Sequence, residues 1–129
     1  MNLNQAHILV VDDVEDLREM FAQFLTGKGC RVSTARDGKE GLEKTLELMP
    51  DLVLLDLWLP EMSGWEVLHR LKSEARTQHI PVLVLTGYTM APPRECDGFL
   101  TKPLDLEELG EEIIHKLNAS SQYPLRRPI

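Results

Sequence analysis

The sequence predicts an α/β fold in which a parallel sheet is covered by helices on both faces. Short, almost uninterrupted apolar runs occur at residues 8–11, 52–55 and 81–85, and such runs are typical of strands buried on both faces. Segments with apolar residues at helical spacing separate these runs. Strands that alternate with helices favour a doubly wound parallel sheet.

Five strands and four helices are predicted along the chain. The strands are short stretches of apolar or alternating residues at 7–11, 31–35, 52–56, 81–85 and 98–101. The helices occupy the amphipathic stretches at 14–27, 37–48, from 63 or 64 past Leu71, and 105–117. In the last helix the apolar positions recur every three or four residues, at Leu106, Leu109, Ile113, Ile114 and Leu117.

The predicted helices begin at residues whose side chains can accept a hydrogen bond from a free backbone N–H. These residues are Asp13, Asp37, Ser63 and Asp105, and the third helix opens at Ser63 or Gly64. Glu108 follows Asp105 at the spacing of a capping box. Gly27 and Gly29 are suited to end the first helix, and Pro50 ends the second.

The stretch 86–97 interrupts the alternation. Pro92 and Pro93 cannot both lie inside a helix, so we expect a loop with at most one helical turn between the fourth and fifth strands. After the last helix, residues 119–129 are predicted to form a flexible tail. The domain is therefore expected to cover residues 5–118.

Composition excludes several classes of protein. The chain of 129 residues carries a net charge of −7, which argues against a nucleic-acid partner. No apolar stretch approaches the ~20 residues of a membrane span, and the first residues lack the pattern of a signal peptide. Cys30 and Cys96 lack metal-ligand spacing, as do the four histidines. We expect reduced thiols and a cytoplasmic location.

Polar residues follow the carboxyl ends of several predicted strands. They are Asp12, Asp13, Asp56, Thr86 and Lys102. Ligands of such sheets bind outside the carboxyl ends of the strands, so one shared site is expected. Three carboxylates favour Mg²⁺, and an aspartate can act as a nucleophile toward phosphorus.

Each of these residues also has a purely structural interpretation. The acid pair can cap a helix, Asp56 can cap a loop, and Thr86 can simply end a strand. Lys102 followed by Pro103 is by itself a loop signal. The placement of all of them at successive strand ends favours a common site.

Four ordered motifs identify a family resemblance. They are ILVVDD at 8–13, LLDLWLPEMSG at 54–64, PVLVLTG at 81–87 and FLTKP at 99–103. The chain resembles the response-regulator receiver domains of two-component signalling over residues 5–118. The resemblance implies a flavodoxin-like, five-stranded sheet in the order 2-1-3-4-5.

The resemblance also implies roles for individual residues. Asp56 would accept a phosphoryl group from a histidine kinase or phosphotransfer protein. Mg²⁺ would be bound by Asp13 and Asp56, by Asp12 through water, and by the backbone carbonyl of Trp58. Thr86 and Lys102 would contact the phosphoryl group, and a cis peptide before Pro103 would direct the lysine.

The chain departs from the family pattern in places that concern signal output. The helix between the fourth and fifth strands is shortened or absent, so the usual partner surface is altered. Phe99 occupies the aromatic switch position, as Thr86 occupies the hydroxyl switch position; Phe99 also fits a plain core role. Trp58 and Tyr88 would flank the phosphoryl group, and we hypothesise that they restrict the attacking water.

The leading functional hypothesis is a stand-alone receiver that promotes only its own phosphorylation and dephosphorylation and is otherwise not an enzyme. Its output would pass through an unknown protein partner or through phosphate relay, without a membrane or nucleic acid. The alternatives are a phosphorylation-independent interaction module and an aspartyl-phosphate hydrolase. Such hydrolases need a second acid two residues after the nucleophile, where this chain has Trp58.

Overall fold

The computed structural model describes residues 5–87, 91–102 and 104–119. It contains one parallel sheet of five strands in the order β2-β1-β3-β4-β5, which confirms the predicted fold. The strands are β1 His7–Val11, β2 Arg31–Ala35, β3 Leu52–Asp56, β4 Val82–Thr86 and β5 Gly98–Thr101. The helices are α1 Glu15–Gly27, α2 Gly38–Leu48, α3 Gly64–Ser73 and α4 Leu106–Ala119.

The sheet divides the core into two layers. In β1, Ile8 and Val10 face the layer that contains residues of α1 and α4, whereas Leu9 and Val11 face the layer that contains residues of α3. This follows from the alternation of side chains along a strand. Each fully buried Leu, Ile or Val contributes about 1.5–3 kcal/mol to folding, so both layers hold the sheet in place.

Strand register brings the carboxyl ends of the central strands to one edge. Val11 pairs with Ala35 on one side and with Leu55 on the other. Asp56, the last residue of β3, pairs with Leu85. Polar residues at the ends of β1, β3 and β4 therefore reach the same edge of the sheet.

The helix starts agree with the sequence prediction except at α1. The side chain of Asp37 accepts from the Glu40 N–H at 2.8 Å, and Asp105 accepts from the Glu107 N–H at 2.9 Å. Ser63 accepts from the Glu66 N–H at the start of α3.

The prediction that Asp13 caps α1 is wrong. The residue at the cap position is Val14, which makes no side-chain cap hydrogen bond. The preceding turn is instead held by Asp12, whose Oδ1 accepts the Val14 N–H at 2.9 Å. Asp12 is buried at the end of β1, so its carboxylate is the one in reach of the turn, while Asp13 is exposed.

The connection from β4 to β5 has no helix in its described part. Residues 91–97 contain one turn at Arg94 and Glu95, as the two prolines predict, and residues 88–90 lie outside the described residues. At the other end of the domain, α4 continues through Ala119, two residues beyond the predicted end of this helix. The predicted tail from residue 120 onward lies outside the described residues.

Within the described parts of the chain, none of the helices has both the length and the apolar character needed to cross a membrane.

Candidate functional site

Three carboxylates meet where β1 and β3 end. Oxygen atoms of Asp12, Asp13 and Asp56 all lie within 4.8 Å of one another. Asp12 and Asp56 are almost completely buried, with 0% and 2% of their surface exposed, and Asp13 is exposed. Like charges at this separation repel one another, so the arrangement favours a bound cation or a nearby positive group.

The Asp56 carboxylate is held by a different donor on each oxygen. The backbone N–H of Trp58 donates to Oδ1 at 3.0 Å, and the ammonium of Lys102 lies 3.3 Å from Oδ2. Lys102 is positioned in turn by its own backbone N–H, which donates to the Thr86 carbonyl at 2.9 Å. The end of β4 is thus linked directly to the lysine that contacts Asp56.

Two buried oxygens of the site have no hydrogen-bond partner among the described residues. They are Oδ2 of Asp12 and Oγ1 of Thr86. A buried polar group without a partner lowers the stability of the fold by about 1–3 kcal/mol. Such a group commonly indicates a bound water, ligand or ion. The carboxylate oxygens fit a hard divalent cation such as Mg²⁺, and the Thr86 hydroxyl can donate to an anionic oxygen.

Burial is the main reason that the pKa of Asp12 is raised above its usual value. The negative charges of Asp56 and Asp13 raise it further. The Val14 N–H and the Lys102 ammonium oppose this effect. A divalent cation at the cluster would reverse the balance, because the ion's charge would then be the largest in the site.

Two contacts fix the backbone around the acids. A Cβ atom added to Gly64 would lie 2.4 Å from the carbonyl oxygen of Asp56, so only glycine allows α3 to begin this close to β3. On the other side, Nη1 of Arg18 donates to the Asp12 carbonyl at 2.8 Å. Arg18 was not predicted as a site residue, because its position within a helical pattern does not indicate that its side chain reaches back to the strand end.

Two further predicted site residues are aromatic side chains that are largely exposed. Trp58 is 62% exposed, beside Asp56, and Phe99 is 46% exposed. Phe99 pairs with Val84 on the edge strand β5, where no helix of the described chain covers it, so the core interpretation of Phe99 is wrong. Tyr88 and Pro103 lie outside the described residues.

One aromatic contact at the site was not predicted. The rings of Trp58 and Trp65 form an edge-to-face pair, with centroids 5.5 Å apart and planes at 83°. The two residues are seven positions apart across an irregular loop, and no sequence periodicity relates them.

Comparison with known proteins assigns the family. The model of the response regulator receiver domain matches residues 8–114, and the chain belongs to this family. Members are signalling proteins that work with histidine kinases and output proteins, and they generally bind Mg²⁺ at an acidic pocket, which corresponds here to Asp12, Asp13 and Asp56.

The curated relatives differ in length. The DNA-binding dual master transcriptional regulator RpaA of Synechocystis sp. is 34% identical over 123 residues, which are 91% of this chain and 51% of that protein. The polar-differentiation response regulator DivK of Brucella anthropi is 32% identical over 112 residues, 82% of this chain and 91% of that protein. The chain thus spans about half of RpaA and most of DivK.

Solved structures agree with this assignment. The chemotaxis protein CheY4 of Vibrio cholerae has a TM-score of 0.78 at 30% identity, covering 86% of this chain and 98% of that one. A CheY-like receiver domain protein of Methanospirillum hungatei has a TM-score of 0.81 at 28% identity, covering 91% and 97%.

Proposed function

We propose that the chain is a phosphorylation-dependent signalling receiver. Asp56 takes a phosphoryl group from a histidine kinase or phosphotransfer protein, with Mg²⁺ as cofactor. The modified protein then switches the binding of an output protein or passes the phosphate on. The observation that carries the proposal is the setting of Asp56, a buried carboxylate placed between an acid cluster and the Lys102 ammonium.

The transfer step is a substitution at phosphorus. A lone pair on an Asp56 carboxylate oxygen attacks the phosphorus of a phosphohistidine, and a P–O bond forms as the P–N bond breaks. The electron pair of the P–N bond leaves with the imidazole nitrogen. Hydrolysis reverses the modification, because water attacks the same phosphorus and releases inorganic phosphate and the Asp56 carboxylate.

The residues around Asp56 have distinct parts in this step. Lys102 lies close enough to neutralise charge on a phosphoryl oxygen, and the buried Thr86 hydroxyl has a free donor to offer. Mg²⁺ would be held by Asp12, Asp13, Asp56 and the Trp58 carbonyl, and when bound it would supply further charge neutralisation.

Signal output in this proposal begins at the end of β4. Thr86 and Lys102 are already connected through the Thr86 carbonyl, so a phosphoryl group that engages both would favour one arrangement of this edge over another. Phe99, exposed on the neighbouring strand, is the side chain through which a partner would sense the change.

The same proposal includes a cellular setting. Two free cysteines fit a reducing compartment, which supports a cytoplasmic location. The net charge of −7 supports protein partners and not nucleic acid.

The proposal predicts a single phosphate adduct on Asp56. Incubation with acetyl phosphate and Mg²⁺, followed by intact mass measurement, should show one added phosphoryl group on the native protein. Asp56→Asn should show none, because an amide is not a nucleophile toward phosphorus under these conditions. Omission of Mg²⁺ should reduce the yield strongly.

Asp16→Asn is the matched control for this experiment. Asp16 is an exposed carboxylate in the first turn of α1 and lies outside the acid cluster, so its variant should be modified like the native protein. A native protein that acquires no phosphate, or an Asp56→Asn variant that acquires as much as native, would refute the proposal.

A further inference from the structure

We infer that Trp65 is a positioning residue for the phosphoacceptor, acting through Trp58. This inference rests on the proposed function of Asp56. Trp58 has two contacts that matter here: its backbone N–H donates to Asp56 Oδ1 at 3.0 Å, and its indole forms the edge-to-face pair with Trp65. A contact that restrains the indole of Trp58 therefore also restrains the backbone N–H that donates to the reacting carboxylate.

The loop that carries Trp58 needs such an anchor. It connects β3 to α3 over residues 57–63 and contains Glu61 at φ 63°, a left-handed conformation that a residue with a Cβ atom adopts only when its surroundings hold it there. Trp58 itself is 62% exposed, so burial does little to fix its side chain. The pair with Trp65 is a direct contact across this loop.

Trp65 is firmly placed, which allows it to serve as the fixed member of the pair. It lies in the first turn of α3 and is partly buried against the core layer that contains Val67 and Leu68. The start of α3 is attached to the end of β3 by the Gly64 N–H, which donates to the Leu57 carbonyl at 3.0 Å, and by the close approach of Gly64 to Asp56.

The orientation of the Asp56 carboxylate connects this geometry to the reaction. The Trp58 N–H and the Lys102 ammonium hold different oxygens of Asp56, and together they set the rotation of the carboxylate. If the Trp58 amide moves, the carboxylate can rotate, and it is oriented for in-line attack in a smaller fraction of the molecules. Trp65 thus affects the rate of phosphoryl uptake without touching the reacting atoms.

The test is the rate of phosphoryl uptake from acetyl phosphate at saturating Mg²⁺, followed by intact mass. We expect Trp65→Leu, which keeps an apolar side chain on α3 but removes the aromatic edge, to slow uptake roughly two- to tenfold, the range that an aromatic pair supports. Trp65→Phe restores an aromatic edge and should recover most of the native rate.

A double-mutant cycle separates positioning through Trp58 from a general structural effect. Trp58→Ala keeps the backbone N–H but removes the indole, so it should slow uptake as Trp65→Leu does. The double variant should be no slower than the slower single variant. Because Trp58 and Trp65 are the two tryptophans of the chain, near-ultraviolet circular dichroism follows loss of the pair directly.

Phe24→Leu is the matched control, since Phe24 is a partly buried aromatic residue of α1 and should leave the uptake rate unchanged. Native uptake in Trp65→Leu, or single effects that multiply in the double variant, would overturn the inference. If Trp65→Leu does not fold, Trp58→Ala tests the inference by itself, because a native uptake rate in Trp58→Ala would also exclude positioning through the Trp58 indole. Failure of the native protein to take up phosphate would instead refute the proposed function.

Discussion

At the scale of single residues, Thr86 shows a conflict between stability and the proposed function. Its side chain is fully buried, and its hydroxyl has no hydrogen-bond partner among the described residues. Valine has nearly the same shape and suits a buried strand. We predict that Thr86→Val raises the free energy of unfolding by about 1 kcal/mol, because the unsatisfied hydroxyl is removed, while phosphoryl uptake decreases. Urea unfolding and intact mass measure the two effects.

Thr77 provides the control at the same scale. It is equally buried, but its Oγ1 donates to the Leu71 carbonyl at 2.7 Å. Thr77→Val should therefore lower the free energy of unfolding by about 1 kcal/mol and leave phosphoryl uptake unchanged. Equal stability changes of the same sign in the two variants would show that the Thr86 hydroxyl is satisfied in solution.

At the scale of elements, the described part of the connection from β4 to β5 has no helix of the kind that commonly covers a parallel crossover. A side-chain anchor holds this region to α3. Nζ of Lys72, on α3, lies 2.7 Å from Asp97 Oδ2 and donates to the Ile80 carbonyl at 2.8 Å. The same Asp97 oxygen accepts the Val82 N–H at 2.7 Å. One lysine thus joins α3 to the starts of β4 and β5.

Removal of this anchor should destabilise the protein. The Lys72 side chain is only 13% exposed. Lys72→Met would remove the donor to the Ile80 carbonyl and the charged partner of the Asp97 carboxylate, which would keep only the Val82 N–H. We predict a loss of about 1–3 kcal/mol in the free energy of unfolding, measured by urea denaturation.

His69 on the same helix supplies the comparison. It pairs with Glu95 at 3.3 Å, but the His69 side chain is 68% exposed, and exposed pairs of this kind contribute about 0–1 kcal/mol. His69→Ala should therefore have a small effect. A Lys72→Met variant as stable as His69→Ala would show that the anchor does not hold the starts of β4 and β5.

The elements show what the sequence could and could not predict. The bounds of β1 and β3 followed from continuous apolar runs, whereas β4 begins and ends one residue later than predicted. The closeness of Asp12, Asp56 and Lys102 followed from their positions at or after the strand ends, because both signals are local. The choice of Asp12 over Asp13 as the side chain that holds the turn before α1 depended on which carboxylate is buried.

Contacts between residues brought together by a loop or by packing could not be predicted, because they leave no local pattern in the sequence. The Trp58–Trp65 pair depends on the path of a loop with a left-handed residue. The exposure of Phe99 depends on how the neighbouring elements pack against the edge strand β5. Neither property has a periodic signature along the chain.

At the scale of the whole molecule, stability should depend on pH through His7. Its Nε2 lies 2.7 Å from Ser33 Oγ, in a partly buried position on β1. Burial is the largest cause that lowers the pKa of His7 below 6.5, the Arg31 charge lowers it further, and the Asp51 charge opposes both. The folded state therefore favours the neutral imidazole.

The sign of the pH dependence follows from linkage. Below pH 6.5 the unfolded chain takes up a proton at His7 before the folded protein does, so stability falls as pH decreases from 6.5 to the lowered pKa of the folded state. Asp12 acts in the opposite direction, because burial raises its pKa from 3.8. The folded protein takes up that proton before the unfolded chain does, so this group raises stability as pH falls toward 3.8.

His7→Gln should remove the loss of stability that begins near neutral pH. Glutamine can still hydrogen-bond to Ser33 but does not titrate. The free energy of unfolding of the variant should therefore change less than that of the native protein between about pH 7.5 and 5.5. The difference is limited to about 1.4 kcal/mol per pH unit for one proton. Parallel native and His7→Gln profiles by urea denaturation would exclude His7 as the group responsible.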